Sequence, residues 1–257
     1  NGSIQPVAEV PAGWVRLRFL NGSNAAYLQL TFPEGLDARV IASEGGYLEQ
    51  PVPITKLVLA AAERYEVVVD ASLLESGNDE IEWITALTDA GVNAPVLGLR
   101  ASGGPGVKSL PERLLPSTPI VGPQEDTDSL PRRRFVLETR GMMSRPPFTI
   151  NGKAMDLSRI DEHIKLGTTE IWEIVNAGPM QMTHSFHVHS THFQVLSIGR
   201  EPPPPHMAGR KDTVIVPAGG TVEIAVHFDR HTGVFMYHCH MLEHEESGLM
   251  GQIEVVR

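Results

Sequence analysis

Short runs in which apolar and polar residues alternate recur along the whole chain, and they predict β-strands. Residues 14–20, 65–69 and 221–228 are clear examples, because β-branched and aromatic side chains are frequent in them. The 24 glycines and 20 prolines are scattered among such runs and mark turns. Helical periodicity is weak, and only residues 156–164 and 241–246 could form one or two helical turns. The pattern therefore predicts an all-β chain.

The composition changes to glycine, proline, serine and charged residues between positions 101 and 134. Such a segment cannot hold a central strand and predicts a linker that lies over a surface. We therefore predict a first domain at residues 1–110, a linker at 111–132 and a second domain at 133–257, although 257 residues would also fit one large domain. Each domain has the length and the strand-like runs of a β-sandwich.

The charge balance and the apolar pattern exclude several classes of partner. With 21 Lys+Arg against 31 Asp+Glu, the net charge of −10 argues against nucleic acid or anionic lipid. No apolar run approaches the roughly 20 residues that span a bilayer, so we expect no membrane span, and the N-terminal residues show no signal-peptide pattern. Cys239 is the single cysteine, which excludes an intrachain disulfide and any multi-cysteine metal site built by this chain. Its thiol is inert, reactive or a metal ligand.

Candidate chemistry is confined to the second half, since every histidine lies at or after His163. The first group is His184-Ser185-Phe186-His187-Val188-His189, within a run typical of a strand. Side chains two positions apart on a strand share a face, so His187 and His189 are predicted to point the same way and to bind metal together. His184 lies at the entry of this strand and could serve a different ion.

The second group is His238-Cys239-His240, followed by His244, at the end of another predicted strand. Strand alternation turns Cys239 to one side and its two histidine neighbours to the other. One short segment can therefore contribute to two metal sites. The two predicted sets are His184, Cys239 and His244 on one side, and His187, His189, His238 and His240 on the other.

The residue types in the two sets restrict the metal. A thiolate with two imidazoles and a weak or absent axial ligand is the ligand set of a blue-copper electron-transfer site. Leu249 falls where the axial side chain would lie, and Met250 beside it could take that position after a shift of register. Four imidazoles with no carboxylate among them suit copper or zinc. A zinc hydrolase, or histidines and a cysteine that only fill the core, are the alternative interpretations.

The sequence resembles the multicopper oxidases, the laccase-like family, and among them the bacterial copper-efflux (cuprous) oxidases. The two histidine motifs carry the resemblance, and Lys211-Asp212-Thr213-Val214 and Asn151-Gly152-Lys153 support it. It implies that His184, Cys239 and His244 are type 1 copper ligands, with Leu249 at the axial position where these oxidases usually have methionine. The ligands implied for the other coppers are His187 for type 2, and His189, His238 and His240 for type 3.

The resemblance also implies a reaction and an architecture. Type 1 copper would take single electrons from a reductant, and Cys239, His238 and His240 would pass them to a trinuclear copper site that reduces dioxygen to water. Family members have three cupredoxin-like Greek-key domains and eight trinuclear histidines, half of them in the first domain. This chain resembles the second and third domains and contributes four of those histidines, so its partner would be the missing N-terminal domain. We expect it to hold type 1 copper without reducing dioxygen by itself, and the family implies a periplasmic or secreted location.

The reductant stays open at this stage. Met180 and Met182 precede His184 and could present Cu(I), since thioethers are soft ligands, although methionines more often fill apolar gaps. The long Met-rich insertion typical of cuprous oxidases is missing, so phenols and aromatic amines fit equally well. Two other classes also stay open, an electron-transfer or copper-binding module with only a type 1 site, and a metal-free scaffold.

Overall fold

The computed structural model describes residues 2–74, 80–115, 118–141, 143–180 and 182–257. It divides into two compact units, Asn1–Ser117 and Thr118–Arg257. Strands dominate both units, so the prediction of an all-β chain is confirmed. Three 3-10 helices and one α-helix complete the described elements. The 3-10 helices are Ala71–Leu73, Thr127–Ser129 and Pro205–Met207.

The described part of the first unit contains nine strands in two sheets. They are β1 (Val7–Ala12), β2 (Trp14–Leu20), β3 (Leu28–Thr31), β4 (Ala38–Ser43), β5 (Gly46–Ile54), β6 (Lys56–Leu59), β7 (Arg64–Asp70), β8 (Glu82–Thr88) and β9 (Asn93–Pro105). One sheet has the order β1-β9-β8-β3-β6 and the other has the order β2-β7-β4-β5. Leu30 and Ile84 of the first sheet share one core with Val40 and Val67 of the second. The unit is therefore a β-sandwich.

Strand β9 runs as far as Pro105, into the segment whose composition predicts a linker. Among the described residues, β8 pairs with β9 only up to Leu99, and the end of β9 pairs with β1 on one side. A proline is tolerated there because no second neighbour needs its missing N–H. Later in the segment, the Ile120 N–H donates to Gln194 Oε1 (2.8 Å), so this part of the chain lies on the second unit.

The second unit contains eleven strands and the helix α1 in its described residues. They are β10 (Arg132–Thr139), β11 (Phe148–Ile150), β12 (Glu162–Lys165), β13 (Thr169–Asn176), β14 (His184–Val188), β15 (Phe193–Ile198), β16 (Arg210–Lys211), β17 (Thr213–Val216), β18 (Thr221–His227), β19 (Gly233–Cys239), α1 (Leu242–Glu246) and β20 (Met250–Val256). The sheets have the orders β11-β10-β13-β18-β15-β16 and β12-β20-β19-β14-β17. Helix α1 lies within residues 241–246 as expected, whereas residues 156–164 form turns and the start of β12. No helix in the described ranges is long and apolar enough to cross a membrane.

Aromatic side chains fill the space between these two sheets. The Phe135 ring of β10 lies 4.7 Å from that of Trp172 on β13, 4.9 Å from that of Tyr237 on β19 and 5.9 Å from that of Phe186 on β14. All four side chains are buried. This core fixes β14 and β19, the two strands on which most of the predicted ligands lie.

An ion-pair network ties three strands of the second unit together. The Arg133 guanidinium on β10 donates to Glu170 on β13 (Nε to Oε2, 2.6 Å) and to Glu162 on β12. Glu170 also accepts a hydrogen bond from Trp172 Nε1 (2.9 Å), and only 5% of its side chain is exposed. The hydrogen bond to Glu170 is the largest cause of the raised pKa of Arg133. Removing Arg133 would leave Glu170 buried without its charge partner.

We expect Arg133→Met to lower the free energy of unfolding of the second unit by about 3 kcal/mol, the usual cost of breaking a buried pair from one side. Arg134→Met is the matched control, because Arg134 is 64% exposed and its partner Glu173 is 38% exposed. That exposed pair should contribute less than about 1 kcal/mol. Urea unfolding of both variants gives the comparison, and equal losses would contradict this assignment.

Candidate metal centre

His184, Cys239 and His244 bring three ligand atoms together in the second unit. His184 Nδ1 lies 3.2 Å from His244 Nδ1, and Cys239 Sγ lies 3.6 Å from each of these nitrogens. The centre of such a triangle is about 2 Å from each corner, which is the length of a metal bond to an imidazole nitrogen. The triangle therefore has the size of a trigonal site with two nitrogens and one sulfur.

Each member of this triad comes from a different element. His184 opens β14, Cys239 closes β19 and His244 lies on α1, which begins three residues after Cys239. The antiparallel register places Phe186 opposite Cys239, so His184 shares the Cys239 face of the sheet. The short turn after β19 then brings His244 back over the sulfur.

Burial controls the protonation of the triad, because none of its side chains is more than 4% exposed. It lowers the pKa of His184 to about 3, and it also lowers the pKa of His244. Both imidazoles are therefore neutral near pH 7, as metal binding requires. Burial raises the pKa of Cys239 to about 11, so its thiol keeps its proton until a metal ion displaces it.

Two neighbours orient the imidazoles. Thr139 Oγ1 lies 3.2 Å from His184 Nε2, and a hydrogen bond there leaves His184 Nδ1 for the triangle. The Phe148 ring lies 4.4 Å from the His244 ring, with 33° between the two planes. The two histidines are thus held before any ligand arrives.

Leu249 follows α1 in the chain and lies next to the triad. It is fully buried, its N–H donates to His244 O and its carbonyl accepts from the Cys239 N–H, both at 3.0 Å. Met250 is paired with His238 across β19 and β20. Because paired side chains share a face, Met250 lies on the His238 side, away from Cys239. The register of the sheet therefore leaves Leu249, and not Met250, next to the triad.

The other four histidines form a second cluster on the opposite face of β14 and β19. Adjacent imidazole centroids in this cluster are 5.0 to 5.3 Å apart. His187, His189 and His238 each offer a nitrogen within 4.8 Å of the others, and His189 Nε2 lies 3.0 Å from His238 Nε2. The His240 ring packs beside them, against His187 and His238. His189 is exposed, so the cluster opens to the surface of the unit.

Hydrogen bonds fix one nitrogen of two of these rings and leave the other for a metal. His187 Nδ1 lies 2.8 Å from Asp212 O and 3.0 Å from Thr213 Oγ1. His238 Nδ1 lies 3.0 Å from Cys239 O and 3.1 Å from Glu245 Oε2. A metal-binding imidazole donates its second N–H to a carbonyl or carboxylate in the same way.

The protonation states of the side chains in this cluster also favour the binding of a metal cation. Burial lowers the pKa of His238 to about 3 and lowers that of His189, so neutral imidazoles face one another. Burial also raises the pKa of Glu245, followed by the effect of Glu246. Glu245 is therefore an acid whose proton is held more firmly than usual, beside His238.

All seven ligand candidates predicted from the sequence thus lie in two groups, on β14, on β19, at the ends of these two strands and on α1. The two methionines predicted as possible Cu(I) ligands lie outside these two groups. Met182 O accepts a hydrogen bond from the Asn176 amide, and Met180 is partly exposed. Four neighbours of the ligands were not predicted from the sequence, namely Thr139, Asp212, Thr213 and Glu245. Asp212 and Thr213 lie in a motif that supports the family resemblance and Glu245 directly follows His244, whereas Thr139 carried no local signal.

Comparisons with known proteins agree with this geometry. Two family models match the chain, both described as multicopper oxidase, one over residues 127–257 and the other over residues 7–89. The chain is 34% identical to the multicopper oxidase mco of Staphylococcus aureus over 259 residues, which covers 100% of this chain and 52% of that protein. It is 35% identical to the cell division protein FtsP of Yersinia pestis, over 100% of this chain and 54% of that protein.

A solved structure is similar over nearly the whole chain. The laccase-like multicopper oxidase CueO of Ochrobactrum sp., described with oxidase activity towards lignin model compounds and lignosulfonate, superposes with a TM-score of 0.85 at 34% identity. The match covers 98% of this chain and 58% of that protein. Both units thus have the cupredoxin-like sandwich fold of these neighbours. The chain spans about half the length of the curated relatives it matches.

Proposed function

This chain belongs to the multicopper oxidase family, whose cofactor is copper, and we propose that His184, Cys239 and His244 bind a type 1 copper ion. The observation that supports this most is the triangle of two Nδ1 atoms and one Sγ atom with sides of 3.2 to 3.6 Å. A thiolate with two imidazoles is the donor set of a blue-copper site, whereas a zinc hydrolase has no need of a redox-capable thiolate among its ligands.

Copper bound in such a protein supplies one-electron oxidation of a reductant and, at a trinuclear site, four-electron reduction of dioxygen to water. The chain contributes the surroundings. Burial of the triad excludes water, keeps both imidazoles neutral and leaves the Cys239 proton as the one that must depart on binding. The contact of Thr139 Oγ1 with His184 Nε2 occupies that nitrogen and leaves Nδ1 for the metal.

The second cluster would supply half of a trinuclear copper site. We assign His187 to the type 2 copper, and His189, His238 and His240 to the type 3 pair. The exposed position of His189 supports a site that a second domain completes from outside. That domain would be an N-terminal cupredoxin domain with the remaining imidazoles, and a chain that spans about half of its relatives leaves room for it.

Cys239 connects the two sites through covalent and hydrogen bonds. His238 and His240 are its neighbours in the chain, and His238 Nδ1 also lies 3.0 Å from Cys239 O. Electrons entering at the Cys239 sulfur can thus reach the imidazoles of the second cluster by a short bonded path. The carboxyl of Glu245, whose pKa is raised by burial, lies beside this path, 3.1 Å from His238 Nδ1.

The reductant would be a phenol, an aromatic amine or Cu(I). The activity of the solved relative towards lignin model compounds supports phenols. The 44% exposure of Met180 supports a soft ligand for Cu(I) at the surface. We place the protein outside the cytoplasm, in the periplasm or secreted, as its family resemblance implies.

A second candidate function is an electron-transfer or copper-binding module that uses only the type 1 site. The observation in its favour is that the triad is complete within this chain, whereas the second cluster has four imidazoles. Dioxygen consumption by the protein together with an N-terminal cupredoxin domain distinguishes the oxidase from this module. A metal-free role, as the similarity to a cell division protein would allow, is disfavoured by the full ligand set.

The test of the type 1 assignment is the visible spectrum of the protein loaded with Cu(II). We expect an intense blue absorption band from thiolate-to-copper charge transfer and one reducible copper ion at this site. A colourless copper complex, or copper bound only at the second cluster, would refute the proposal.

Leu249→Met tests the axial position. A thioether donates electron density to Cu(II) and a leucine does not, so we expect the methionine variant to have a lower reduction potential. The expected change is at least tenfold in the ratio of Cu(I) to Cu(II) at a fixed applied potential, which is about 59 mV for a one-electron couple. Redox titration of both proteins measures it. An unchanged or higher potential would show that residue 249 does not face the copper.

A further inference from the structure

The chain passes from one sheet of the second unit to the other at Asp212. Strand β16 ends at Lys211 in the six-stranded sheet, and β17 begins at Thr213 in the five-stranded sheet. Thr213 is paired with His187 of β14, and Asp212 O accepts from the Val188 N–H at 3.1 Å. Because paired side chains share a face, this corner lies directly beside the His187 ring.

Nδ1 of His187 faces oxygen atoms of this corner. Among the described residues, Asp212 O lies 2.8 Å from it, Thr213 Oγ1 lies 3.0 Å from it and Asp212 Oδ1 lies 3.6 Å from it. The Thr213 hydroxyl itself donates to Asp212 Oδ1 over 2.9 Å. Since its single proton is used on the carboxylate, the hydroxyl offers only a lone pair to the imidazole. Each of these partners is therefore an acceptor, so Nδ1 must carry the ring proton.

The position of that proton decides which nitrogen can bind a metal. A neutral imidazole has one proton, which can lie on either nitrogen, and the other nitrogen keeps the lone pair. With the proton of His187 on Nδ1, the lone pair lies on Nε2. The Asp212 carboxylate stands at the far end of the same chain of hydrogen bonds, and a carboxylate behind a ligating histidine makes the imidazole a stronger ligand.

Burial protects this arrangement from water. The Thr213 side chain is fully buried, and the side chains of His187 and Asp212 are only 16% and 13% exposed. Water therefore has little access to replace the Thr213 hydroxyl. A side chain of the same shape without a hydroxyl would leave the carboxylate and the imidazole unconnected.

We infer that Thr213, backed by the Asp212 carboxylate, holds His187 in the Nδ1–H tautomer and strengthens its Nε2 as a metal ligand. Thr213 is a positioning residue, because its hydroxyl contacts the imidazole and acts on a metal only through the ring. This inference deepens the proposed type 2 assignment of His187 and rests on it for the metal. The tautomer is a property of the metal-free chain and can be measured separately.

The experiment compares four variants of the 257-residue chain. Thr213→Val removes the hydroxyl, Thr213→Ser keeps it, and Asp212→Asn removes the charge behind it. Thr149→Val is the matched control, since the Thr149 hydroxyl is also fully buried and also donates to a carboxylate, that of Glu138, at 2.7 Å. Nitrogen NMR of histidine-labelled, metal-free protein at mildly alkaline pH distinguishes the two tautomers of His187. Cu(I), which is diamagnetic, is then added with a competing chelator under argon, and the His187 signals report its affinity for the second cluster.

We expect the wild type, Thr213→Ser and Thr149→Val to show the Nδ1–H tautomer of His187 alone. Thr213→Val should show both tautomers and bind Cu(I) at the second cluster about tenfold to a hundredfold more weakly, the usual effect of losing a group that orients a ligand. Asp212→Asn should lose less affinity, because an amide oxygen can still accept from Thr213. Thermal unfolding checks the fold, and if Thr213→Val does not fold, the affinity of Asp212→Asn decides.

The inference requires both changes in Thr213→Val. A single Nδ1–H tautomer in that variant would overturn it, because the Asp212 carbonyl would then suffice. Unchanged Cu(I) affinity in Thr213→Val or Asp212→Asn would also overturn it, as would equal effects of Thr213→Val and Thr149→Val. His187 signals of the wild type that do not respond to Cu(I) would instead refute the proposed type 2 assignment.

Discussion

Cys239→Ser is expected to abolish the blue absorption band and the oxidation of one-electron donors completely. The sulfur is the one soft, anionic donor in the triad, and a serine hydroxyl near pH 7 stays protonated and binds copper weakly. Copper at the second cluster should remain, so the copper content of the complete protein should fall by one ion. Visible spectroscopy, metal analysis and the oxidation rate of a phenolic donor measure the three effects.

Met250→Leu is the matched control for this variant. Met250 is paired with His238 and lies on the other face from Cys239, so its loss should leave the blue band in place. Thermal unfolding shows whether the two variants keep the fold, which we expect because Cys239→Ser changes a single buried atom. A blue band that survives in Cys239→Ser, or disappears in Met250→Leu, would contradict the assignment of the triad.

The separation of the seven ligands into two groups could be predicted from the sequence because strand alternation is a local rule. Cys239 had to face away from His238 and His240 once these residues ended a strand, and the same rule paired His187 with His189. The β-sandwich in each half could also be predicted from the alternating runs. The strand pairing that brings β14 beside β19 is a long-range contact, which strand alternation does not predict.

The groups that support the ligands could not be predicted in this way. Thr139 reaches His184 from β10, 45 residues earlier in the chain, and Asp212 reaches His187 from 25 residues later. Such contacts follow from the packing of one sheet on another, which no local spacing encodes. At residues 156–164 the local pattern was ambiguous and allowed one or two helical turns. The structure instead has turns and the start of β12 there, because pairing within the sheet decided the outcome.

The 257-residue chain by itself is expected to bind type 1 copper and to consume no dioxygen. Its second cluster contains four imidazoles, half of the eight that the family resemblance implies for a trinuclear site. Two other histidines have contacts elsewhere in the unit, since His163 Nδ1 lies 3.1 Å from Glu254 Oε2 and His227 Nδ1 lies 2.9 Å from Thr169 Oγ1. The first half of the sequence contains no histidine that could complete the site.

An oxygen electrode with a phenolic or Cu(I) donor measures this directly. The chain should become reduced at its blue copper, with loss of colour, while dioxygen uptake stays at the background rate. Adding a cupredoxin domain with two His-x-His motifs should establish uptake, and Cys239→Ser should abolish it again. Uptake by the chain alone that Cys239→Ser removes would contradict the prediction. The explanation would then be that two copies of the chain share their half-clusters, since His189 is exposed at the surface of each.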